Sequence, residues 1–187
     1  MSTRSRYHAL LGLAYRRWAL SRRLSAPSEI ALRAWQVIRK QQYCLVVTEG
    51  SQGPAARVVE PLRPGPGGMI SFGTDPSGRK AAQILRTGRC LLVYQDDHRR
   101  ACVTLECDAR LADASDPVRF RGFWRAFWPA GPGHDFVNVT CMPTAMEVWD
   151  GMAVIAPAPF GRRAVRMERR PGEPWCLVAA DGTTSLG

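Results

Sequence analysis

The spacing of apolar residues changes from a helical pattern to a strand pattern near residue 42. In segment 27–42, apolar side chains recur at helical spacing, as Ile30, Ala34 and Val37 show, and this predicts a helix. Beyond it, short apolar runs are separated by Gly, Pro, Asp and Ser, which is typical of strands joined by turns. The predicted strands lie at 43–48, 55–62, 68–74, 90–95, 101–111, 136–142 and 144–151. Segments 162–170 and 175–180 predict a terminal hairpin.

Two helices interrupt these strands, at about 77–87 and 116–127. The second contains Trp124, Phe127 and Trp128, which we expect to form its apolar core. Many short antiparallel strands with few helices favour a mainly β (α+β) fold, a small closed barrel. A chain of 187 residues is long enough to bury the core of one such domain.

Residues 1–27 differ in composition from the rest and are predicted to be a basic helical extension of a domain at 28–187. Segment 1–28 has six arginines and no acidic residue. Its arginines are interleaved with the apolar residues Leu10, Leu13, Trp18, Leu20 and Leu24. Such a helix either packs on its own domain or contacts a membrane surface or an acidic partner. The sequence leaves both alternatives open.

The chain is strongly basic, with a net charge of +10, but its cations are almost all arginine. Lys40 and Lys80 are the only lysines among 26 basic residues, which indicates a bias in base composition. A nucleic-acid-binding module is the alternative from another functional class. The aromatic residues lie on a predicted helix instead of on strands, where a stacking platform is expected, so we consider nucleic acid an unlikely partner.

Cysteine usage indicates a reducing compartment. The six cysteines form no C-x-x-C pair, and most lie in apolar runs such as "YCLVV", where a thiol behaves as a small buried apolar group. No metal site is therefore expected. The sequence also shows no apolar stretch of membrane-spanning length and no signal peptide. We expect a cytoplasmic protein.

The stretch "SFGTDPSGRKAAQI", residues 71–84, carries the clearest chemical signal. A strand ends at Thr74, a polar turn follows, and Arg79 and Lys80 begin a helix. Backbone amides, a helix amino end and two adjacent cations suit a phosphate monoester. The alternative is a surface turn with solvated charges.

Taken together, residues 30–151 resemble the pyridoxamine 5'-phosphate oxidase-like family of FMN-binding split barrels, in its general-stress-protein-like branch. The ordered segments that carry the resemblance are "VIRKQQYCLVVT", "GPAARVVEPL", "ISFGTDPSGRKAAQI", "RCLLVYQDD", "VTLECDARL" and "MEVWDG". The resemblance implies a split β-barrel with a few peripheral helices. It also implies a homodimer with FMN sites at the interface.

Site residues follow from the same resemblance. It implies that Arg57, Arg79 and Lys80 hold the FMN phosphate. It places Trp149 at the flavin from the second subunit. The backbone or side chains of the remaining residues are expected to contact the flavin: Val58, Val59, Glu60, Phe72, Gly73 and Thr74.

Departures from the family pattern concern the substrate. Gly78 replaces the serine that often precedes the cation pair, and Leu62 stands where the vitamin-pathway enzyme has a substrate-binding lysine, with Arg63 beside it. The segment "APAPFGRRAVR" lacks that enzyme's histidine, although Arg162 and Arg163 lie in it. We therefore expect an FMN-dependent oxidoreductase acting on a small molecule other than pyridoxamine phosphate.

Other readings stay open at this stage. Haem-binding or haem-degrading relatives and deazaflavin-dependent relatives are the alternatives within the fold. His134 and Asp135 are candidates for proton transfer, although neither has a partner at a spacing that indicates a dyad.

Overall fold

The structure is a computed structural model that describes residues 3–170, 172–178 and 184–185. Three α-helices lie in this part of the chain: α1 (Thr3–Arg22), α2 (Pro27–Lys40) and α3 (Arg79–Thr87). The described strands are β1 (Cys44–Gly50), β2 (Gly53–Val59), β3 (Ile70–Thr74), β4 (Arg89–Asp96), β5 (Ala101–Leu111), β6 (Val137–Asp150), β7 (Val165–Glu168), β8 (Cys176–Val178) and β9 (Thr184–Ser185). The mainly β fold with few helices is confirmed.

The strands form one antiparallel sheet that closes into a split barrel. Its order is β2-β1-β4-β5-β6-β7-β8-β9, and β3 pairs with β6 off this path. β2 and β3 approach each other only through a bridge between Pro61 and Phe72. The barrel is therefore open between β2 and β3, and α3 follows β3 at this opening.

β6 is longer than the sequence pattern indicates. We predicted two strands, at 136–142 and 144–151, but residues 137–150 form one strand. Its first part pairs with β3 and its second part with β7, while β5 runs along most of its length. Pro143 does not end the strand, because the register with β5 shifts near this point, between Glu106 and Cys107.

Helix α2 packs against β4 and β5 and contributes to the core. Its buried side chains are Ile30, Ala31, Ala34, Val37 and Ile38, at the helical spacing predicted from the sequence. They join inward-facing strand residues such as Val46, Leu92 and Leu105. Burial of these apolar side chains is the main favourable contribution to folding.

The outer face of β2, β1 and β4 exposes large apolar side chains. Leu45 pairs with Val58 on one side and Val93 on the other, and Leu91 pairs with Val47. Val58 is 65% exposed and Leu45 42% exposed. Leu45, Val58 and Leu91, with their half-buried neighbours Val47 and Val93, are called the outer apolar face below.

The helix predicted at 116–127 is wrong. Only a short 3-10 turn forms, at Gly122–Ala126. Trp124 is buried, but Phe127 is 66% exposed, so the three aromatics do not form one helix core. Segment 112–136 instead follows the barrel surface, where Asn138 holds the backbone of Arg119 through two hydrogen bonds.

Helix α1 lies at the edge of the barrel and touches it near its carboxyl end. The Tyr15 hydroxyl donates to the Gly151 carbonyl at 2.6 Å, and Ala19 is buried. Leu10 and Leu13 are exposed. In the described part of the chain, no helix is both long and apolar enough to cross a membrane. Membrane or partner contact through α1, the domain boundary at residue 27 and the cytoplasmic location stay predictions.

Candidate functional site

Arg57 lies on β2 with its side chain on the inner face of the barrel. It pairs in register with Val46, whose side chain is fully buried. Its Nη1 donates to the Thr48 hydroxyl at 2.5 Å and to the Ala55 carbonyl at 3.1 Å. The Thr48 hydroxyl in turn donates to Oε1 of Gln83, on α3, at 2.6 Å. These bonds fix the guanidinium of Arg57 beside α3 without neutralising its charge.

Lys80, in the first turn of α3, brings a second cation to the same place. Its Nζ lies 5.1 Å from the ring centroid of Phe72, over the ring. Burial lowers the pKa of Lys80, and the charge of Arg57 lowers the same pKa further. In the residues that the structure describes, neither Lys80 nor Arg57 forms an ion pair. Two partly buried cations without a carboxylate partner favour an anionic ligand.

The turn before α3 presents backbone donors towards this region. Gly78 is the residue before the helix, and no side chain caps the helix there. The first amides of a helix have no partner within it, so they are free to bind an anion. Asp75 is occupied by its own turn, where it accepts hydrogen bonds from the Ser77 amide and hydroxyl. These bonds lower the pKa of Asp75. Arg79 is exposed at the helix start.

Strand β3 is buried along its whole length, so its candidate residues act mainly through packing in this chain. Phe72 is fully buried in the core. At Gly73, a Cβ atom would lie 2.2 Å from Cε2 of Phe136, so only glycine fits. Thr74 ends the strand opposite Val137. The predicted contacts of these three residues with a flavin stay predictions.

Glu60, at the end of β2, forms an ion pair and a hydrogen bond with the 112–136 segment. Val58 faces outward and Val59 is buried. The Glu60 carboxylate binds the Arg121 guanidinium and accepts a hydrogen bond from Nε1 of Trp124 at 2.8 Å. This pairing could not be predicted from the sequence, because 61 residues separate Glu60 from Arg121 and the segment between them is predicted as strands and a helix.

Among the described residues, Trp149 lies on β6 and makes no hydrogen bond to the Arg57–Lys80 cluster. It is half-buried on β6, and its Nε1 donates to the Gly161 carbonyl at 3.1 Å. The predicted approach of Trp149 to a flavin from a second subunit stays a prediction.

The other candidate side chains do not lie in the Arg57–Lys80 cluster. His134 is exposed, and Asp135 accepts a hydrogen bond from the Ala130 amide at 3.0 Å. Arg162 and Arg163 are also exposed.

Sequence reasoning missed Thr48 and Gln83, which hold Arg57. Thr48 also lines a neighbouring cavity of about 870 Å³. A buried polar residue on the inner face of a strand is the signal that would have identified Thr48.

Comparison with known proteins supports the fold assignment. No protein-family model matches the sequence, and the search of curated proteins finds no match. Among solved structures, a protein of the pyridoxinephosphate oxidase family from Clostridium acetobutylicum, related to general stress protein 26, superposes with a TM-score of 0.62 at 13% identity. The alignment covers 77% of this chain and 96% of that one.

Two further structures share the fold. A pyridoxamine 5'-phosphate oxidase-related, FMN-binding protein from Nostoc punctiforme has a TM-score of 0.57 at 16% identity, covering 88% of this chain and 98% of that one. PhzG from Burkholderia lata, solved with tetrahydrophenazine-1-carboxylic acid, has a TM-score of 0.53 at 18% identity, with 84% and 91% covered. The chain thus has the split-barrel fold of the pyridoxamine 5'-phosphate oxidase-related proteins, and the predicted resemblance is confirmed at the level of the fold.

Proposed function

We propose that this protein is an FMN-dependent oxidoreductase that acts on a small molecule. The observation that carries the proposal is the pair Arg57 and Lys80, two cations at the barrel opening without a carboxylate partner among the described residues. The fold is shared with a solved FMN-binding protein. An anion with the charge of a phosphate monoester offsets the cost of burying Lys80.

The residues present fit the phosphate end of FMN. Arg57 and Lys80 would neutralise the phosphate, and the first amides of α3 would donate hydrogen bonds to it. Arg79 would add a charge from the solvent side. Gly78 offers no hydroxyl, and its amide already donates to the Asp75 carbonyl. Thr48 and Gln83 orient Arg57 before the ligand arrives, which reduces the entropy lost on binding.

Bound FMN would supply the hydride-transfer chemistry, and the chain's own residues would position it. The buried strand β3 forms a rigid support on one side of the barrel opening. Lys80 and Arg57 would hold the phosphate in one place, so that the ring system has a fixed orientation towards a substrate. The positive potential of the two cations would also favour negative charge nearby.

We also propose that the protein is a homodimer, with the outer apolar face as part of the interface. Leu45, Val58 and Leu91 form a contiguous exposed patch on β2, β1 and β4. Such patches mark interaction surfaces in proteins of this size. The family resemblance also implies that Trp149 reaches the flavin from a second chain.

The chromophore of the purified protein tests the cofactor. We expect a yellow protein, or an apoprotein that takes up FMN in a one-to-one ratio per chain, with FMN identified by absorbance and by mass spectrometry after denaturation. The appearance of a Soret band after haem addition together with no uptake of FMN would contradict the proposal. Preference for a deazaflavin over FMN in a competition titration would contradict it as well.

A further inference from the structure

Helix α1 contains an apolar block between two groups of arginines. The block, "YHALLGLAY" at residues 7–15, has no Arg, Lys, Asp or Glu. Arg4 and Arg6 precede it, and Arg16 and Arg17 follow it directly. The sequence of the whole helix has no acidic residue. Residues 7–15 are called the α1 apolar block below.

The side of the α1 apolar block that faces away from the barrel is exposed. Tyr15 and Ala19 hold the helix to the barrel, the first through its hydroxyl and the second through burial. With 3.6 residues per turn, Leu10 and Leu13 lie on the opposite side of the helix, where they are 66% and 62% exposed. The other exposed large apolar side chains before Tyr15 are Tyr7 and Leu11. A contiguous exposed apolar surface of this kind marks an interaction site.

The length of the α1 apolar block and the residues at its ends match the surface of a lipid bilayer. A helical segment of this length rises roughly 14 Å, less than half of a hydrocarbon core of about 30 Å. The block can therefore lie in the membrane interface but cannot cross the membrane. Arginine side chains extend from such a helix to the headgroups while their stems contact apolar surface. Tyrosine, which begins and ends the block, is enriched at this depth.

Charge favours an anionic membrane over a second copy of the chain. Among the described residues, no ion pair involves Arg16, Arg17 or Arg22. Two α1 helices packed together would place arginines against arginines, and the whole chain carries a net charge of +10. Anionic headgroups supply the opposite charge at the membrane surface.

From these observations we infer that α1 binds the surface of an anionic membrane, with the α1 apolar block in the interface and its flanking arginines at the headgroups. The contact of Tyr15 with Gly151 then holds the barrel at the membrane surface. The inference does not depend on FMN binding, because Arg57 and Lys80 lie outside α1.

Flotation of the full-length protein with lipid vesicles tests the inference. One set of vesicles contains equal parts of phosphatidylcholine and phosphatidylglycerol, and the other contains phosphatidylcholine alone. Wild-type protein should bind the anionic vesicles at least about tenfold more tightly than the neutral ones, because the arginines are attracted to the anionic surface. Binding should weaken as sodium chloride is added, since salt screens this attraction.

The double variant Leu10→Asp/Leu13→Asp tests the α1 apolar block itself. It should bind the anionic vesicles at least about tenfold more weakly than wild type, because carboxylates lose hydration in the apolar interface. Leu85→Asp/Val118→Asp is the matched control, since it makes the same change in net charge at two exposed apolar side chains outside α1. This control should bind nearly as wild type does. All four side chains are exposed, so both variants should keep the wild-type circular dichroism spectrum.

Three results would overturn the inference. The first is no binding of wild type to the anionic vesicles at low salt. The second is an equal loss of binding in both aspartate variants, because net charge instead of the α1 apolar block would then govern binding. The third comes from light scattering: a wild-type dimer that becomes a monomer only in the Leu10/Leu13 variant, without vesicle binding, would assign the block to a second copy of the chain.

Discussion

Gly73 shows how a single residue connects β3 with the segment that covers it. The ring of Phe136 lies directly against Gly73, at the place where a side chain would begin. Phe136 is itself held by Phe120, Trp124 and Trp128, whose rings surround it. The glycine is thus required by packing, because Phe136 has no room to move aside.

Gly73→Ala is expected to destabilise the protein by roughly 1 to 3 kcal/mol, the usual cost of overpacking a filled core. Urea unfolding followed by tryptophan fluorescence measures this change. Gly12→Ala is the control, since nothing lies within 4 Å of a Cβ at that position and alanine favours a helix. Equal stability of the two variants would contradict the packing described for Phe136.

Lys80 is the residue whose environment is hardest to explain without a ligand. Its ammonium group is partly buried over an aromatic ring, and its pKa is lowered because burial disfavours the charged form. A neighbouring anion reverses that cost. The sequence identified Lys80 through its place next to Arg79 at a helix start, but it could not show that Arg57 and Phe72 lie beside it.

At the scale of elements, the edge of the sheet formed by β2, β1 and β4 has two apolar faces. The inner face belongs to the core, and the outer apolar face contains Leu45, Val58 and Leu91. An antiparallel sheet with one solvated face normally alternates apolar and polar residues. Apolar residues on both faces are consistent with the homodimer interface proposed above.

Val58→Glu should convert the proposed homodimer into a monomer, because a carboxylate would lose its hydration in the apolar interface. Light scattering coupled to size-exclusion chromatography measures the mass. Val118→Glu is the matched control. Val118 is 64% exposed and Val58 is 65% exposed, but Val118 lies on a loop outside the outer apolar face. A wild-type mass of one chain, or a Val58→Glu dimer as stable as wild type, would argue against this interface.

The elements that could be predicted from the sequence are those with a regular apolar period and clear end signals. Helix α2 and strand β5 are examples, and α3 begins within two residues of its predicted start. The helix prediction at 116–127 was wrong because the aromatic residues of this segment occur at helical spacing. In the structure, Trp124 and Phe120 pack on Phe136 instead. Tertiary contacts with residues distant in sequence decided its conformation.

At the scale of the whole molecule, the closure of the barrel brings the site together. β3 joins the sheet through β6, and the gap between β2 and β3 is bridged only at Pro61 and Phe72. Arg57 comes from one side of this gap and Lys80 from the other. The strand order follows from long-range pairing, which no local pattern encodes. The family resemblance predicted the split barrel but no strand order.

The binding of FMN and riboflavin to one double variant tests the central claim most directly. Arg79→Ala/Lys80→Ala removes two cations from the proposed phosphate site, and Arg16→Ala/Arg17→Ala removes two exposed arginines from α1 as the control for net charge. Each charge-assisted contact contributes about 1.5 to 3 kcal/mol. The Arg79/Lys80 variant should therefore bind FMN at least about a hundredfold more weakly than wild type, as measured by flavin fluorescence quenching.

Riboflavin lacks the phosphate, so wild type and the Arg79/Lys80 variant should bind it equally weakly, while the Arg16/Arg17 control should bind FMN as wild type does. This selective loss of FMN affinity, in a variant that keeps the wild-type circular dichroism spectrum, is the result that the structure predicts. Wild-type affinity of the Arg79/Lys80 variant for FMN would contradict the phosphate site at the start of α3.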